Sequence, residues 1–311
     1  MQKRLRVALI AGGKSGEREV SLKGAREVLK VLNKDKYKVR QYDPAHELER
    51  LAHDAPKTDV AFILLHGPLG EDGSIQGFLD LLGIPYQGSG LLGSSLAMNK
   101  HLSKLLYKQA GLTVSESLLV TPDSGPAKKD IPDQLGLPLV IKPVSQGSSL
   151  GLNIAHNLED LGSALNSAFQ LDSEVLIEPY ISGREITVGV IGNQKPIALP
   201  VVEIIPGQKH PFFDYTAKYT PGATSEICPA DLPKEISRKA RDYGIRAHQA
   251  LSLKGYSRTD MIISETGEIF IIETNTIPGM AATSLFPLAA QEYGMNFSAL
   301  IDRLIELALE K

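Results

Sequence analysis

The first part of the chain alternates apolar runs with stretches of helical periodicity. Leu5–Ile10 and Val60–Leu65 are nearly continuous apolar runs that predict buried strands, and Val39–Tyr42 predicts another strand between them. After a glycine-rich turn, apolar residues recur at helical spacing from Val20 to Leu32. Strands that alternate with helices predict an α/β fold that begins with a doubly wound parallel sheet.

Further along the chain, the same periodicities predict several more strands and three helices. The helices are predicted over Ser94–Ala110, Leu232–Leu253 and Ser298–Glu310. The predicted strands are Pro138–Lys142, Leu152–Ala155, Glu174–Tyr180, Ile186–Ile191 and Lys195–Ile204. We divide the chain into three domains, which comprise residues 1–96, 97–184 and 185–311.

The strongest candidate for chemistry is a predicted hairpin near the carboxyl end. A two-residue loop at Thr266-Gly267 would place Asp260 opposite Glu273, about 5 Å apart at Cβ. Asn275 lies two residues beyond Glu273 and therefore shares its face. Two carboxylates and an amide oxygen are ligands that suit Mg²⁺. The alternative is an ordinary hairpin whose charges are solvated at its open end.

A second candidate lies in the middle of the chain, where Lys142 ends a predicted strand. The glycine- and serine-rich residues 143–151 follow, and their backbone amides could cover phosphates while the lysine neutralises them. Glu178 could accept from the amino group of adenine, and Glu185 could take ribose hydroxyls. Each of these residues could instead be a solvated surface charge.

Two loops of the N-terminal domain could face a ligand. The glycines that follow the first strand do not match the dinucleotide fingerprint Gly-x-Gly-x-x-Gly. Glu17, beside the start of a predicted helix, either complements the helix dipole or receives a substrate ammonium. His66 ends a buried strand, at the sheet edge where open α/β sheets bind ligands, although it could simply be a loop histidine.

Composition excludes several classes of protein. The formal net charge of −3 gives no electrostatic reason to expect nucleic acid or an anionic membrane as a partner. No apolar segment reaches the length of a membrane span. The single cysteine, Cys228, excludes an internal disulfide and suits the cytoplasm.

Residues 205–229 form a long segment that is rich in proline, glycine and aromatic residues. A segment of this length without regular periodicity is usually functional or disordered. Its aromatic residues favour a lid that packs over a site when it closes.

Taken together, these motifs resemble the D-alanine–D-alanine ligases of the ATP-grasp superfamily. The resemblance extends essentially from Val7 to Leu309, and it depends on all the motifs occurring in this order. The motifs are Gly12-Gly13-x-Ser15-x-Glu17-x-Glu19-Val20-Ser21, His66-Gly67-x-x-Gly70-Glu71-Asp72-Gly73-x-x-Gln76-Gly77, Gly83-Ile84-Pro85-Tyr86-x-Gly88-Ser89-Gly90, Lys142-Pro143 with Gly147-Ser148-Ser149, Lys218-Tyr219, Arg258-x-Asp260 and Glu273-x-Asn275-Thr276-x-Pro278-Gly279-Met280.

The resemblance implies a three-domain ATP-grasp architecture with a Rossmann-like N-terminal domain, and it implies two Mg²⁺ or Mn²⁺ ions on Asp260, Glu273 and Asn275. It also implies that ATP binds to residues of the central region. The implied ATP-binding residues are Lys100, Lys142, Gly147, Ser148, Ser149, Glu178, Pro179, Tyr180, Ile181 and Glu185.

For the substrates, the resemblance implies that two D-alanine molecules are joined through a D-alanyl phosphate intermediate, for peptidoglycan synthesis. Glu17, with His66 nearby, would hold the first D-alanine. The other implied roles are oxyanion binding by Arg258 and Gly279, carboxylate binding by Ser284 and Lys218, and closure of a Glu17–Tyr219–Ser148 hydrogen-bonded set. A cytoplasmic homodimer is also implied.

Other functions remain open at this point. Relatives that join D-alanine to D-serine or D-lactate, and other ATP-grasp carboxylate–amine ligases, share most of the motifs. A dinucleotide-dependent oxidoreductase is disfavoured by the broken glycine pattern. A non-catalytic amino-acid sensor would not need Lys142, Asp260, Glu273 and Asn275, which are suited to phosphoryl transfer.

Overall fold

A computed structural model describes residues 4–207 and 224–310, and the strands of this part of the chain form three sheets. The first sheet is parallel and consists of β1 (Leu5–Ile10), β2 (Tyr37–Tyr42) and β3 (Val60–Ile63), with β1 in the centre. β1 has the predicted bounds, β2 begins two residues earlier than predicted, and β3 ends two residues earlier. The sequence pattern therefore located all three strands of this sheet.

Helices cover both faces of the first sheet. Val7 and Leu9 of β1 belong to one apolar core and Ala8 and Ile10 to another, as the pleat of a strand requires. The helices near this sheet are α1 (Arg18–Val31), α2 (Leu48–Asp54) and α3 (Ser74–Leu81). α1 packs in the first core, and α2 and α3 pack in the second. The prediction of a doubly wound parallel sheet is confirmed.

The second sheet is antiparallel and lies in the middle of the chain. Its order is β4 (Leu118–Val120), β7 (Val175–Pro179), β5 (Leu139–Pro143) and β6 (Asn153–Ala155). The small helix α6 (Ile131–Leu135) and the amphipathic helix α7 (Leu158–Phe169) cover one face of it and bury a separate core. Because side chains alternate along a strand, the opposite face is left to receive other groups.

The third sheet is also antiparallel and contains the predicted metal hairpin. Its path is β11 (Thr224–Ile227), β10 (Val202–Pro206), β8 (Gly183–Ile191), β12 (Tyr256–Ser264) and β13 (Ile269–Asn275), and the short β9 (Ile197–Ala198) pairs with β8. The predicted single strand over Lys195–Ile204 is thus wrong, because residues 199–201 separate β9 from β10. The long helix α8 (Lys234–Ala250) packs on this sheet.

The two C-terminal helices are α9 (Leu285–Glu292) and α10 (Phe297–Leu309). α10 lies at its predicted position, but it packs in the core that the first sheet shares with α1. The C-terminal helix α10 therefore helps to bury β1, the N-terminal strand. The three-domain division stays a prediction. None of the helices in the described ranges has both the length and the apolar character needed to cross a membrane.

The single helix predicted over Ser94–Ala110 is wrong, because the structure has two helices there. α4 (Leu91–Met98) ends before Asn99, and α5 (Lys100–Gln109) begins after it. Asn99 has an extended backbone, and its side-chain oxygen accepts from the Leu102 amide at 2.9 Å, which caps α5. This break places Lys100 in the first turn of α5, directed at the second and third sheets.

The loop of the metal hairpin also differs from the prediction. Met261 pairs with Ile271 rather than Ile272, and the tight loop contains three residues, Glu265–Gly267. A bulge between Asp260 and Met261 absorbs the extra residue, so Asp260 still pairs with Glu273. The predicted two-residue loop is wrong, but the predicted pairing of the two carboxylates is correct.

Candidate active site

The second and third sheets enclose a cavity of about 390 Å³, a volume typical of small-molecule sites. β5 and β7 supply one wall, and β8, β12 and β13 supply the other. Eight of the ten predicted ATP-binding residues line this cavity, and they are Lys100, Lys142, Ser149, Glu178, Pro179, Tyr180, Ile181 and Glu185. Asp260 and Glu273 line it as well. Residues that are distant in the sequence therefore share one cleft.

A buried cluster of charges centres on Glu178, which lines the cavity. Lys142 Nζ donates to Glu178 Oε2 at 3.0 Å, and Lys104 Nζ donates to Glu178 Oε1 at 2.6 Å. Burial opposes ionisation of Glu178, but the two lysines outweigh it and lower the pKa of this carboxyl group. Glu178 is therefore a charged acceptor at neutral pH.

Lys100 connects this region to the metal hairpin. It is buried, and its Nζ donates to the backbone carbonyl of Gln146, in the glycine- and serine-rich loop. The same nitrogen lies 3.8 Å from Glu273 Oε2. One lysine of the cavity therefore lies beside Glu178 and the other lies beside a carboxylate of the hairpin.

The hairpin holds Asp260 in a dense set of contacts. Arg258 donates to both carboxylate oxygens, from Nε at 2.8 Å and from Nη2 at 2.7 Å. Thr187 Oγ1 donates to Oδ1 at 2.6 Å, and Asn275 Nδ2 donates to Oδ2 at 3.2 Å. The predicted juxtaposition of Asp260, Glu273 and Asn275 is therefore present in the structure, although Asn275 does not line the cavity.

The donor set of the hairpin consists of two carboxylates and an amide, which are ligand types that Mg²⁺ takes when phosphates and water complete its coordination. Among the described residues, no group of three or more His, Cys, Asp or Glu residues could hold a metal by itself.

The glycine- and serine-rich loop crosses to the N-terminal part of the protein. Ser148 and Ser149 adopt left-handed backbone conformations, with φ of 50° and 58°, which are strained for residues other than glycine. Ser148 Oγ donates to Glu17 Oε1. A Cβ atom on Gly147 would lie 3.4 Å from Glu17 Oε2, so the loop packs closely on this carboxylate. The contact brings together two predicted site residues 131 positions apart.

Two further ionisable groups, His66 and Glu71, lie near Glu17. Burial lowers the pKa of His66, the Glu17 carboxylate raises it, and Arg258 lowers it again, so the imidazole is held neutral. Burial and the nearby Glu17 carboxylate raise the pKa of Glu71 to about 8. Glu71 Oε2 accepts from the Gly67 amide at 2.8 Å. The predicted ammonium site thus contains more than one carboxyl group.

Gly279 and Ser284 lie together beyond the end of β13. A Cβ atom on Gly279 would be 3.1 Å from Ser284 Oγ, which leaves no room for a side chain without a shift. Ser284 precedes α9, and its Oγ accepts from the Ala281 amide at 3.2 Å. Lys218 and Tyr219, the two predicted residues of the lid, lie outside the described residues.

Sequence reasoning assigned no role to Lys104, Thr187 or Glu71. Lys104 lies four residues after Lys100, so helical spacing could have placed the two lysines on one face. Glu71 belongs to the motif that begins at His66, and its proximity to Glu17 could have been suspected from that motif. Thr187 contacts Asp260 through the pairing of β8 with β12, which no local pattern indicates.

The antiparallel sheets, the lysines in their cleft and the paired carboxylates define the ATP-grasp class of enzymes. Two family models match the chain: "D-ala D-ala ligase N-terminus" over residues 41–89 and "D-ala D-ala ligase C-terminus" over residues 106–306. The chain therefore belongs to the D-alanine–D-alanine ligase family.

Individual relatives agree with this assignment. The chain is 59% identical over 307 residues to the D-alanine–D-alanine ligase of Syntrophobacter fumaroxidans, covering 99% of this chain and 98% of the relative. It is 54% identical over 309 residues to that of Desulfotalea psychrophila, covering 99% and 96%.

Solved structures share the whole fold. The D-alanine–D-alanine ligase of Bacillus anthracis complexed with ATP superposes with a TM-score of 0.86 at 33% identity, covering 98% of this chain and 97% of the other. The VanG D-Ala:D-Ser ligase of Enterococcus faecalis gives a TM-score of 0.85 at 32% identity, covering 98% and 100%.

Proposed function

We propose that this protein joins two D-alanine molecules to D-alanyl-D-alanine with cleavage of ATP to ADP and phosphate, for peptidoglycan synthesis. One observation carries the proposal. A single cavity is lined by the Glu178 acceptor with Lys142 beside it, and by the carboxylates Asp260 and Glu273 with Lys100 beside Glu273. These groups match the amino group, the phosphates and the bound cation of a nucleotide.

We assign each part of ATP, namely the adenine, the ribose and the phosphates, to its own group of residues. Glu178 accepts from the adenine amino group, and the backbone of residues 179–181 lies along the purine edge. Glu185 takes the ribose hydroxyls. Lys100, Lys142 and the amides of residues 147–149 bind the phosphates, because ammonium and amide groups neutralise phosphate charge.

The first chemical step is phosphoryl transfer. Glu17, near His66, binds the ammonium of the first D-alanine. One carboxylate oxygen of that D-alanine forms a bond to the γ-phosphorus, the bond to the β–γ bridging oxygen breaks, and ADP leaves. The lysines reduce the repulsion between the two anions. When Mg²⁺ or Mn²⁺ is bound at Asp260, Glu273 and Asn275, it neutralises further phosphate charge.

The second step is acyl transfer. The neutral amine of the second D-alanine attacks the carbonyl carbon of D-alanyl phosphate, phosphate leaves, and the amine loses its proton. Arg258 and the Gly279 amide meet the developing oxyanion, since preorganised donors stabilise the charge of the transition state. Ser284 and Lys218 bind the second carboxylate.

The Ser148–Glu17 contact supports the proposal that the glycine- and serine-rich loop helps to exclude water from the reaction site. It ties the phosphate-binding loop to the ammonium site, and Tyr219 would complete this hydrogen-bonded set. Water must be excluded because an acyl phosphate hydrolyses readily. We also propose a cytoplasmic homodimer, on the family resemblance alone, and sedimentation velocity would test the dimer.

Phosphate release from ATP and Mg²⁺ tests the proposed activity. Release is measured with D-alanine, D-serine, D-lactate or L-alanine, and the products are separated by chromatography. We expect strong stimulation by D-alanine with one D-alanyl-D-alanine formed per phosphate. Equal release with L-alanine would overturn the substrate assignment. A mixed product favoured over D-alanyl-D-alanine in the presence of D-serine or D-lactate would indicate the alternative ligases.

A further inference from the structure

Lys104 carries a buried charge that the proposed reaction does not use, and it lies behind Glu178, a residue of the cavity wall. It is 3% exposed, on the inner face of α5. Its Nζ donates to Glu178 Oε1 at 2.6 Å and to Ser115 Oγ at 2.7 Å. Removing an ammonium group from water is costly unless partners compensate for it. These two contacts provide that compensation and fix the position of the group.

The cluster contains one more positive charge than negative charges. Glu178 shares its two oxygens between Lys104 and Lys142, and all three side chains are buried. Lys142 lines the cavity, whereas Lys104 does not. When a phosphate binds, Lys142 can therefore turn towards it, while Lys104 has no access to the ligand. The Oε2 atom of Glu178 then loses a donor, and the amino group of adenine can replace it.

We propose that Lys104 is a positioning residue for nucleotide recognition. It balances the charge of Glu178 and fixes Oε1, so that Lys142 can leave for a phosphate and Oε2 can accept the amino group of the base. The inference rests on the proposed ATP-dependent function. Without Lys104, Glu178 would depend on Lys142 alone, and carboxylate and phosphate would compete for one ammonium group.

The electrostatics of the cluster are consistent with this role. Burial lowers the pKa of Lys104 to about 8, although the Glu178 carboxylate opposes the shift and Lys142 adds to it. Lys104 therefore loses its proton as the pH rises through about 8. The groups that face it are Glu178, Lys142, Ser115 and, more weakly, Lys108. ATP binding should weaken above this pH if Lys104 supports Glu178.

The test compares Lys104→Met, which removes the charge, with Lys104→Arg, which retains it. The control is Lys108→Met, because Lys108 lies one helical turn further along α5 and its side chain is exposed. We expect K104M to raise the KM for ATP at least about tenfold, equivalent to about 1.4 kcal/mol. The KM for D-alanine and kcat should change less than about threefold. K104R should recover part of the loss, and K108M should resemble the wild type.

Two further measurements separate positioning from a general loss of structure. Inosine triphosphate carries an oxo group where ATP carries the amino group, so K104M should lower the preference for ATP over this analogue. Between pH 7 and pH 9 the wild-type KM for ATP should rise, whereas that of K104M should stay level. Parallel changes in kcat and in both KM values, or an unchanged KM for ATP, would overturn the proposal.

A double-mutant cycle tests the coupling even if K104M folds poorly. In Glu178→Gln there is no charge for Lys104 to balance, so adding K104M to E178Q should change the KM for ATP less than about twofold. An effect of K104M in the E178Q background as large as in the wild type would refute action through Glu178. If the wild type releases no ADP with D-alanine, the proposed function fails. The direct affinity for ADP, measured by calorimetry, still tests the role of Lys104 in that case.

Discussion

Replacing Thr187 with valine should weaken the proposed cation site without removing any of its proposed ligands. Thr187 is 1% exposed on β8, and its hydroxyl group donates to Asp260 Oδ1 at 2.6 Å. Valine has nearly the same shape but has no donor, so Asp260 would lose one of its anchors. Arg258 and Asn275 would still hold the carboxylate.

The structure sets the size of the effect. A hydrogen bond to a charged group contributes about 1.5–3 kcal/mol to stability, but Oδ1 still accepts from Arg258 at 2.8 Å and is not left without a donor. We therefore expect the free energy of unfolding to fall by only about 1–2 kcal/mol. Loss of a group that orients a metal ligand typically lowers affinity 10- to 100-fold, and with one anchor of several removed we expect about tenfold.

Calorimetric titration with Mn²⁺ in the presence of ADP measures the affinity directly. The Mg²⁺ concentration for half-maximal ADP release provides a second readout, and kcat at saturating Mg²⁺ should stay within about threefold of the wild type. Thr58→Val is the control, because Thr58 Oγ1 donates to a backbone carbonyl at 3.1 Å and does not line the cavity. If T187V bound Mn²⁺ as tightly as T58V, Thr187 would not orient Asp260 for a cation.

Three other substitutions test the site and the core. Glu273→Gln should lower kcat about a hundredfold or more, and near-wild-type ADP release would remove Glu273 from the metal site. Because the pKa of Glu71 is raised to about 8, its ionisation should cost the folded state up to about 2 kcal/mol as the pH rises from 6 to 8. Urea unfolding of Glu71→Gln should lack this loss, and an unchanged pH slope would contradict it. Burial lowers the pKa of His248 to about 4, from 6.5, so stability should fall about 2 kcal/mol from pH 7 to pH 5. This fall should be absent in His248→Asn, and its persistence would assign the acid sensitivity to other groups.

The sequence was most informative where a local pattern fixes the structure. The apolar run Leu5–Ile10 gave the bounds of a strand, because its residues from Val7 onward are buried on both faces and are all apolar. The hairpin pattern correctly paired Asp260 with Glu273, since cross-strand neighbours are close in sequence. Even here the loop length was wrong, and a bulge between Asp260 and Met261 restored the pairing.

The contacts between distant segments were decided only by the tertiary structure. Ser148 meets Glu17, Thr187 meets Asp260, and Lys104 meets Glu178. No periodicity encodes such contacts, because each depends on how two sheets, or two non-consecutive strands, lie against one another. The helix break at Asn99 is intermediate: its capping side chain is a local signal, but only the packed structure shows that the break directs Lys100 towards Glu273. The sequence thus determined which chemical groups are present and which elements carry them, whereas packing over long range determined which groups meet.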